Sequence, residues 1–482
     1  MKSIFPARKN NWWPFCLAIV GLKFFFFALD SSPKFYLGDS MAYIWTALSG
    51  SIPADRSYFY GFVIRWLSLW NASLVPLLIV QILLGAAIAI IIGWICWRIF
   101  GLPEKIAYLF GFLCAIDPLQ LTWERYVMTE TFSLFFYALV LQQSFVYLRD
   151  RRLTTLLVIQ VLSIITIGFR IVFLFVVQPM AVALPLIAFL SQSKRFELAT
   201  GARPGLFHFL KRPVFWQHLA ASVIALVLLD QGYKYACGFL SHREPAHLHA
   251  SGYFLLASWA PALQAQDATD SRLAGIIEHG SEFALRDFSS RGKQRFAAGY
   301  LVDRWRRAEP DRRKSNEIAT ETALNALKRN PAAVIDLGTQ TYLAFWRGDM
   351  KHFLQWDLGV GTLKDSELRF LAERFHWTGR ADVATEPQTF TKWYYVAASP
   401  YYFLLLLSPL LSLALLFVAT DKPKAWLLFL HAVTMFAVIL LLSVGSYMRY
   451  FQPISFLILL SIALAVKFYR ATRVKEAADS GG

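Results

Sequence analysis

The sequence predicts an all-α polytopic membrane protein of about ten transmembrane helices, with juxtamembrane amphipathic helices in its first outer loop and a mostly helical extracytoplasmic segment. Three observations carry this. Of 482 residues, 56% are apolar and 16% aromatic, too many for one soluble core, whose growth stalls near about 250–300 residues. The apolar residues fall in runs long enough to cross about 30 Å of hydrocarbon, which takes roughly 20 helical residues. Basic residues border those runs with a one-sided bias.

Spans are expected near 12–30, 74–99, 105–120, 130–148, 153–169, 171–191, 214–232, 401–419, 425–445 and 450–469. Only Phe169-Arg170 separates the fifth from the sixth, which leaves open a broken helix or one long tilted helix. The first run follows Arg8 and Lys9 and is too long and aromatic for a cleaved signal peptide, so it reads as a retained anchor. With the N-terminus inside, the inner loops carry Arg149, Arg151 and Arg152, then Lys194, Arg195, Arg203, Lys211 and Arg212, then Lys422 and Lys424. The tail adds Lys467, Arg470, Arg473 and Lys475, and the short outer loops carry far fewer. The positive-inside bias therefore predicts a cytoplasmic (inner) membrane protein with both termini cytoplasmic, and an even number of spans. The chain divides into an N-terminal transmembrane module (1–232), an external segment (233–399) and C-terminal transmembrane helices with a tail (400–482).

The net charge of +16 is mostly topology. Residues 233–399 hold 22 Lys and Arg against 19 Asp and Glu, leaving 26 against 13 for the membrane part. Charges split among short loops beside a bilayer do not make a nucleic-acid surface. The four cysteines lie in or beside apolar runs and read as small buried residues, not a disulfide framework or zinc site.

The external segment reads as helical and partly interfacial. Asn330-Pro331 is a helix start, with Asn as cap and Pro in the first turn. The apolar stretch through Ile335, Leu337, Tyr342, Phe345 and Trp346 is too short to span and is expected on or in the outer leaflet. Before it, Ala319, Ala323, Ala326 and Leu327 share one helical face. In the first outer loop (31–73), Met41, Ile44, Trp45 and Leu48 fall on one face of a helix, as do Phe62, Trp66 and Leu69. Asp39 lies at the start of the first of these helices, where it is also a candidate N-cap, and Asp55-Arg56 lies in the turn between them. His242, Glu244, His247 and His249 crowd the start of the external segment and are candidate metal ligands, though without a diagnostic spacing.

Sorted by side, Asp39, Arg56, Arg65, Asp117, Glu124, Arg125, Glu130, Arg170, Asp230 and Arg449 all fall at or near outer ends of spans. Charges at membrane depth are costly and point to function, although any single one would serve as a helix-end anchor. A carboxylate among guanidiniums at a lipid boundary suits group transfer from a lipid phosphate. A base takes a proton from the acceptor hydroxyl, and cations meet the charge that grows on the phosphate.

Three motifs resemble the GT-C superfamily of polytopic glycosyltransferases, which includes protein mannosyltransferases and lipid A aminoarabinose transferases. Leu-Gly-Asp-Ser-Met-Ala-Tyr (37–43) is similar to the family's acidic first-loop motif, with Arg56 a helix and turn later. Met-Thr-Glu-Thr-Phe (128–132) is similar to its second acidic motif, and Ser-Tyr-Met-Arg-Tyr-Phe-Gln-Pro (446–453) to its Arg-Tyr then Pro signature. The chain departs from the family after Arg56, where Ser-Tyr-Phe-Tyr-Gly replaces a Pro-rich segment. The resemblance implies a polyprenyl-phosphate-linked sugar as donor, and a glycan, lipid or protein hydroxyl as acceptor. It implies Asp39 as the acceptor-activating base, Glu130 as a second acid that orients the acceptor or holds a divalent metal, and Arg56, Arg170 and Arg449 on the lipid phosphate. Glu124 competes for the role of Glu130, and Arg125 is a further candidate beside it. A metal cofactor stays an open expectation. The alternatives are a secondary transporter or lipid or oligosaccharide flippase, and a non-catalytic partner of an envelope pathway. Transport fits less well, because no internal repeat is evident and the charges lie at the rim.

Overall fold

A computed structural model describes residues 12–200, 208–279, 284–347, 354, 358, 363–379, 389–445 and 447–480. Arg8, Lys9, Arg203 and Ser446, used above, lie outside the described residues. The described chain is helical throughout, with an isolated bridge between Lys34 and Tyr126.

Seven helical stretches are long and apolar enough to cross a membrane: Trp12–Leu29, Val75–Ile99, Glu130–Asp150, Ile171–Ser191, Pro213–Ser241, Lys422–Leu442 and Met448–Arg473. An eighth is a pair, Ser399–Leu406 and Ser408–Val418, bent by 55°. Pro409 opens the second half and supplies no N–H to bond back across the break. Ten spans were expected, and the apolar runs at 105–120 and 153–169 form shorter helices than the seven above. The run at 105–120 forms a 12-residue helix, Glu104–Ala115, which at 1.5 Å per residue covers about 18 Å. It stops because Asp117 caps a new short helix, Pro118–Trp123, accepting from the Gln120 N–H at 2.9 Å. The run at 153–169 is a 17-residue helix, Leu153–Phe169. The open question at Phe169-Arg170 resolves as a break: Arg170 is extended at φ −149°, ψ 109°, and a 3-10 turn leads into Leu174–Thr200.

The helices used below are α1 (Trp12–Leu29), α2 (Leu37–Ser49), α3 (Phe59–Ser68), α4 (Val75–Trp94), α5 (Glu104–Ala115), α6 (Pro118–Trp123), α7 (Glu130–Asp150), α8 (Leu153–Phe169), α9 (Leu174–Thr200) and α10 (Pro213–Ser241). Contacts fix which ends share a side. Trp12 stacks on Trp97 at 5.5 Å, Tyr147 meets His218 at 2.9 Å, and Lys424 donates to the Ile99 carbonyl at 3.1 Å. The start of α1, the end of α4, the end of α7 and the start of α10 therefore lie together. The loop at 31–73, the start of α7 and the helices between 251 and 329 gather at the other end.

Those later helices form a small external core. Within it, α11 (Ser251–Ser258), α12 (Ser271–Glu278), α13 (Arg291–Phe296), α14 (Leu301–Ala308) and α15 (Arg312–Arg329) pack Leu256, Leu273, Leu301, Trp305 and Ala319 together. Ala319, Ala323 and Ala326 are buried, as their shared face predicts. Asn330 caps α16 (Pro331–Arg347), accepting from the Ala333 N–H at 3.1 Å. α16 is not simply laid on lipid. Val334, Leu337 and Phe345 are buried, with Gly338 against Leu440 and Leu441 of a spanning helix, while Ile335 and Trp346 face outward.

The loop helices form where expected. In α2, Tyr43, Ile44 and Ala47 are buried and Trp45 is exposed. In α3, Tyr60, Gly61, Ile64 and Ser68 are buried, whereas Trp66 is 82% exposed. The aromatic stripe is an outward, interface-seeking face.

Candidate functional site

Four chain segments build the site. The first is held by backbone and side-chain bonds to the loop before α7. The Lys34 N–H donates to the Arg125 carbonyl and the Val127 N–H to the Lys34 carbonyl, both at 2.9 Å. Buried Gln81 of α4 donates to the carbonyls of Glu124 at 3.0 Å and Tyr126 at 2.9 Å, and accepts from the Tyr60 hydroxyl at 2.6 Å. These bonds set α2, α3 and the start of α7 side by side.

Asp39 lies in the first turn of α2, where the helix dipole favours its charge. It does not cap the helix: Tyr36 occupies that position, and the Tyr36 N–H donates to Ser40 Oγ at 2.7 Å. The carboxylate is instead held between two guanidiniums. Arg56 donates to Oδ1 at 2.8 Å, and Arg449 lies 3.6 Å from Oδ2. Its side chain is 25% exposed, so a substrate hydroxyl can reach it. Burial works against the charge on Arg56, but Asp39, Tyr43 and Asp55 together outweigh it and hold the guanidinium above its usual range.

Glu130 opens α7 and is 2% exposed. Arg170, at the break between α8 and α9, lies 3.7 Å from Glu130 Oε1, and Oε2 has no hydrogen-bond partner among the described residues. The Tyr450 ring joins the two halves, with Arg170 at 5.2 Å and Arg449 at 5.0 Å from its centre. Arg449 also lies 4.1 Å over Tyr36. Cation–π contacts of this kind gain strength as they lose water. Asp39, Glu130, Arg56, Arg170 and Arg449 are thus one continuous cluster, although 410 positions separate Asp39 from Arg449. Arg449 is 8% exposed, which is poor geometry for headgroup anchoring. Sequence reasoning missed Tyr36, which flanks the first motif, and gave no role to Tyr450 within the third, since nothing in a linear pattern says which cation a ring will meet.

Glu124 and Arg125 are placed elsewhere. Lys23 of α1 donates to Glu124 Oε1 at 2.5 Å, Arg125 lies 3.6 Å from Oε2, and Arg125 Nε donates to the Asp30 carbonyl at 2.9 Å. Lys34 closes on Asp30 at 3.0 Å. Gly85 of α4 makes room for Glu124, because a Cβ there would run into its carboxylate. The network pins α1 to the loop before α7. A buried pair is costly to break on one side, at about 3–5 kcal/mol, and much cheaper to replace as a whole. Lys23→Met is therefore expected to destabilise the protein by that order, and Lys23→Met with Glu124→Gln to recover most of the loss. Thermal unfolding in detergent is the measurement; equal loss in the single and double variants would remove the coupling.

Of the other boundary charges, Asp117 accepts from the Tyr401 hydroxyl at 2.6 Å, and Asp230 pairs with Lys234 and His247, both at 2.7 Å. The histidine group disperses. Glu244 pairs with Arg313, His249 meets Ser241 at 3.1 Å, and His242 ends α10 in the left-handed region. Burial lowers the pKa of His247 and His249. Among the described residues no three His, Cys, Asp or Glu side chains converge. The central cluster likewise does not fit a divalent ion, which needs several oxygen ligands in one shell. Each of its carboxylates is matched to guanidiniums instead.

No family model matches the chain, and no curated protein matches it. Among solved structures, the chain is similar to the Archaeoglobus fulgidus oligosaccharyltransferase in its apo form, at 11% identity and a TM-score of 0.32. The match covers 86% of this chain, and the chain spans 59% of the length of that protein.

Proposed function

We propose that this protein is a membrane glycosyltransferase that moves a sugar from a polyprenyl-phosphate donor to an acceptor hydroxyl on the outer face of the cytoplasmic membrane. One observation carries the reading: a reachable carboxylate, Asp39, sits between two guanidiniums at one end of a helical membrane bundle. Asp39 takes the proton as the acceptor oxygen attacks the anomeric carbon, and the bond from that carbon to the phosphate oxygen breaks. The electron pair goes to the phosphate, whose growing charge meets Arg449, Arg56 and Arg170. A single attack inverts the anomeric centre. Glu130 holds Arg170 toward this cluster and orients the acceptor. In the resting protein Asp39 occupies its own cations, so an arriving phosphate has to compete for Arg449 and Arg56. It thereby frees the base only when the donor is in place.

The alternative, a secondary transporter or lipid or oligosaccharide flippase, draws on the fully buried Lys23–Glu124 pair within the bundle. Mass spectrometry of glycolipids and envelope polymers, in cells with and without the protein, separates the two. The enzyme reading expects a glycosylated product to disappear and its polyprenyl-phosphate sugar to accumulate. Unchanged covalent structures throughout would overturn it.

A further inference from the structure

A second group of charges adjoins Asp39 and shares only Arg56 with the transfer chemistry. Asp55, 24% exposed, lies between Arg56 Nε at 3.8 Å and Arg295 of the external helix α13 at 3.7 Å. Neither distance is a hydrogen bond. The Nε atoms of Arg56 and Arg295 are both buried and without a hydrogen-bond partner. The Arg295 side chain is only 7% exposed, with the Phe254 ring 4.3 Å from its guanidinium and Phe296 at 5.1 Å. Phe296 itself is 64% exposed. Burial holds Arg295 below the usual arginine range; Asp55 opposes this, while Arg306 and Arg56 add to it.

A guanidinium carries five donors, and leaving them unsatisfied in a buried place is expensive. Asp55 offsets the charge here but does not satisfy the donors. An anion that bonded both arginines at hydrogen-bond distance would meet the Nε donors that Asp55 leaves without a partner. The loop that carries Asp55 is fixed at both ends. The His249 N–H donates to the Ala54 carbonyl at 2.8 Å, and the Tyr233 hydroxyl donates to Ser57 Oγ at 3.1 Å. Arg56 faces both ways, with one nitrogen on Asp39 and another toward Asp55. The exposed Phe296 ring offers an apolar face beside the charges, as a sugar ring requires.

We propose that Arg295 and Arg56, with Phe296, form an oxyanion subsite for an acidic sugar, a phosphate- or carboxylate-bearing unit of the acceptor, which displaces Asp55. The role as acceptor rests on the transferase reading; the binding site does not. The bound anion turns the carboxylate of Asp55 outward, and its neighbouring sugar hydroxyls lie on the side where Arg56 meets Asp39.

The test is equilibrium binding of three probes, glucose 6-phosphate, glucuronate and glucose, to the full-length protein in nanodiscs. Both anionic sugars are expected to bind at least about tenfold tighter than glucose, since charged hydrogen bonds of this kind discriminate by about 10- to 100-fold. The tighter of the two names the source, a phosphorylated or a uronic-acid acceptor. Arg295→Gln should abolish the preference, and Arg295→Lys should keep part of it. Asp55→Asn should tighten anionic binding several-fold by removing the resident competitor, a gain that a merely structural ion pair would not give. Equal binding of glucose and the anionic probes, or no tightening in Asp55→Asn, overturns the subsite. Anion preference that depends on Arg295, in a protein without any sugar transfer, would keep the subsite and sink the transferase reading.

Discussion

Asp39→Asn is expected to leave a folded, membrane-inserted protein whose transfer rate falls by about 10²–10⁴, the usual worth of a positioned base. The amide keeps the size of the side chain and one oxygen for the Arg56 hydrogen bond at 2.8 Å, but it cannot take a proton. Folding should tolerate the change for two reasons. The start of α2 is fixed by Tyr36 and Ser40, not by Asp39. The pairs with Arg56 and Arg449 involve a carboxylate that is 25% exposed, so their loss costs less than breaking a fully buried pair, about 3–5 kcal/mol. The measurement is single-turnover transfer from a polyprenyl-phosphate sugar in nanodiscs, alongside thermal unfolding of the same samples. Near-normal transfer would remove Asp39 as the base and with it the proposed reaction course.

Arg449→Lys is the second large effect expected. Arg449 is 8% exposed and stacked among Tyr36, Tyr450 and Tyr447. Lysine keeps the charge but loses the planar stack and the two parallel hydrogen bonds a guanidinium gives a phosphate. One charged hydrogen bond is worth about 1.5–3 kcal/mol, so transfer should fall by roughly 10- to 100-fold, and further in Arg449→Ala. The loss should divide between donor KM and kcat according to how much the contact tightens as charge develops on the leaving phosphate. Rates against donor concentration at matched folded protein decide this. Lysine equal to wild type in both constants would leave Arg449 as a structural residue.

Run length and apolar content in the sequence correctly indicate a helical membrane protein. They do not give the breaks within runs: Asp117-Pro118 inside an apolar run starts a new helix, and Pro409 bends another. Helical periodicity located α2 and α3, whose Trp45 and Trp66 stay exposed. The sorting of charges by membrane side put ten residues at one level. It could not separate Asp39, Arg56, Glu130, Arg170 and Arg449, which meet, from Glu124 and Arg125, which pair with Lys23 and Asp30. Nor did it hint at Arg295, whose link to the first outer loop depends on where the external helices fold back.

The division follows from the range of the forces involved. Span length, turn chemistry and the sign of flanking charges act on neighbours along the chain, so the sequence by itself determined the helical membrane class and the segments that bear the clustered charges. Which guanidinium meets which carboxylate is decided within about 4 Å, by helices packed from opposite ends of the chain. Only the tertiary structure sets those distances: the cost of burying a charge favours whichever partner the packing brings near, and that partner need not be close in sequence.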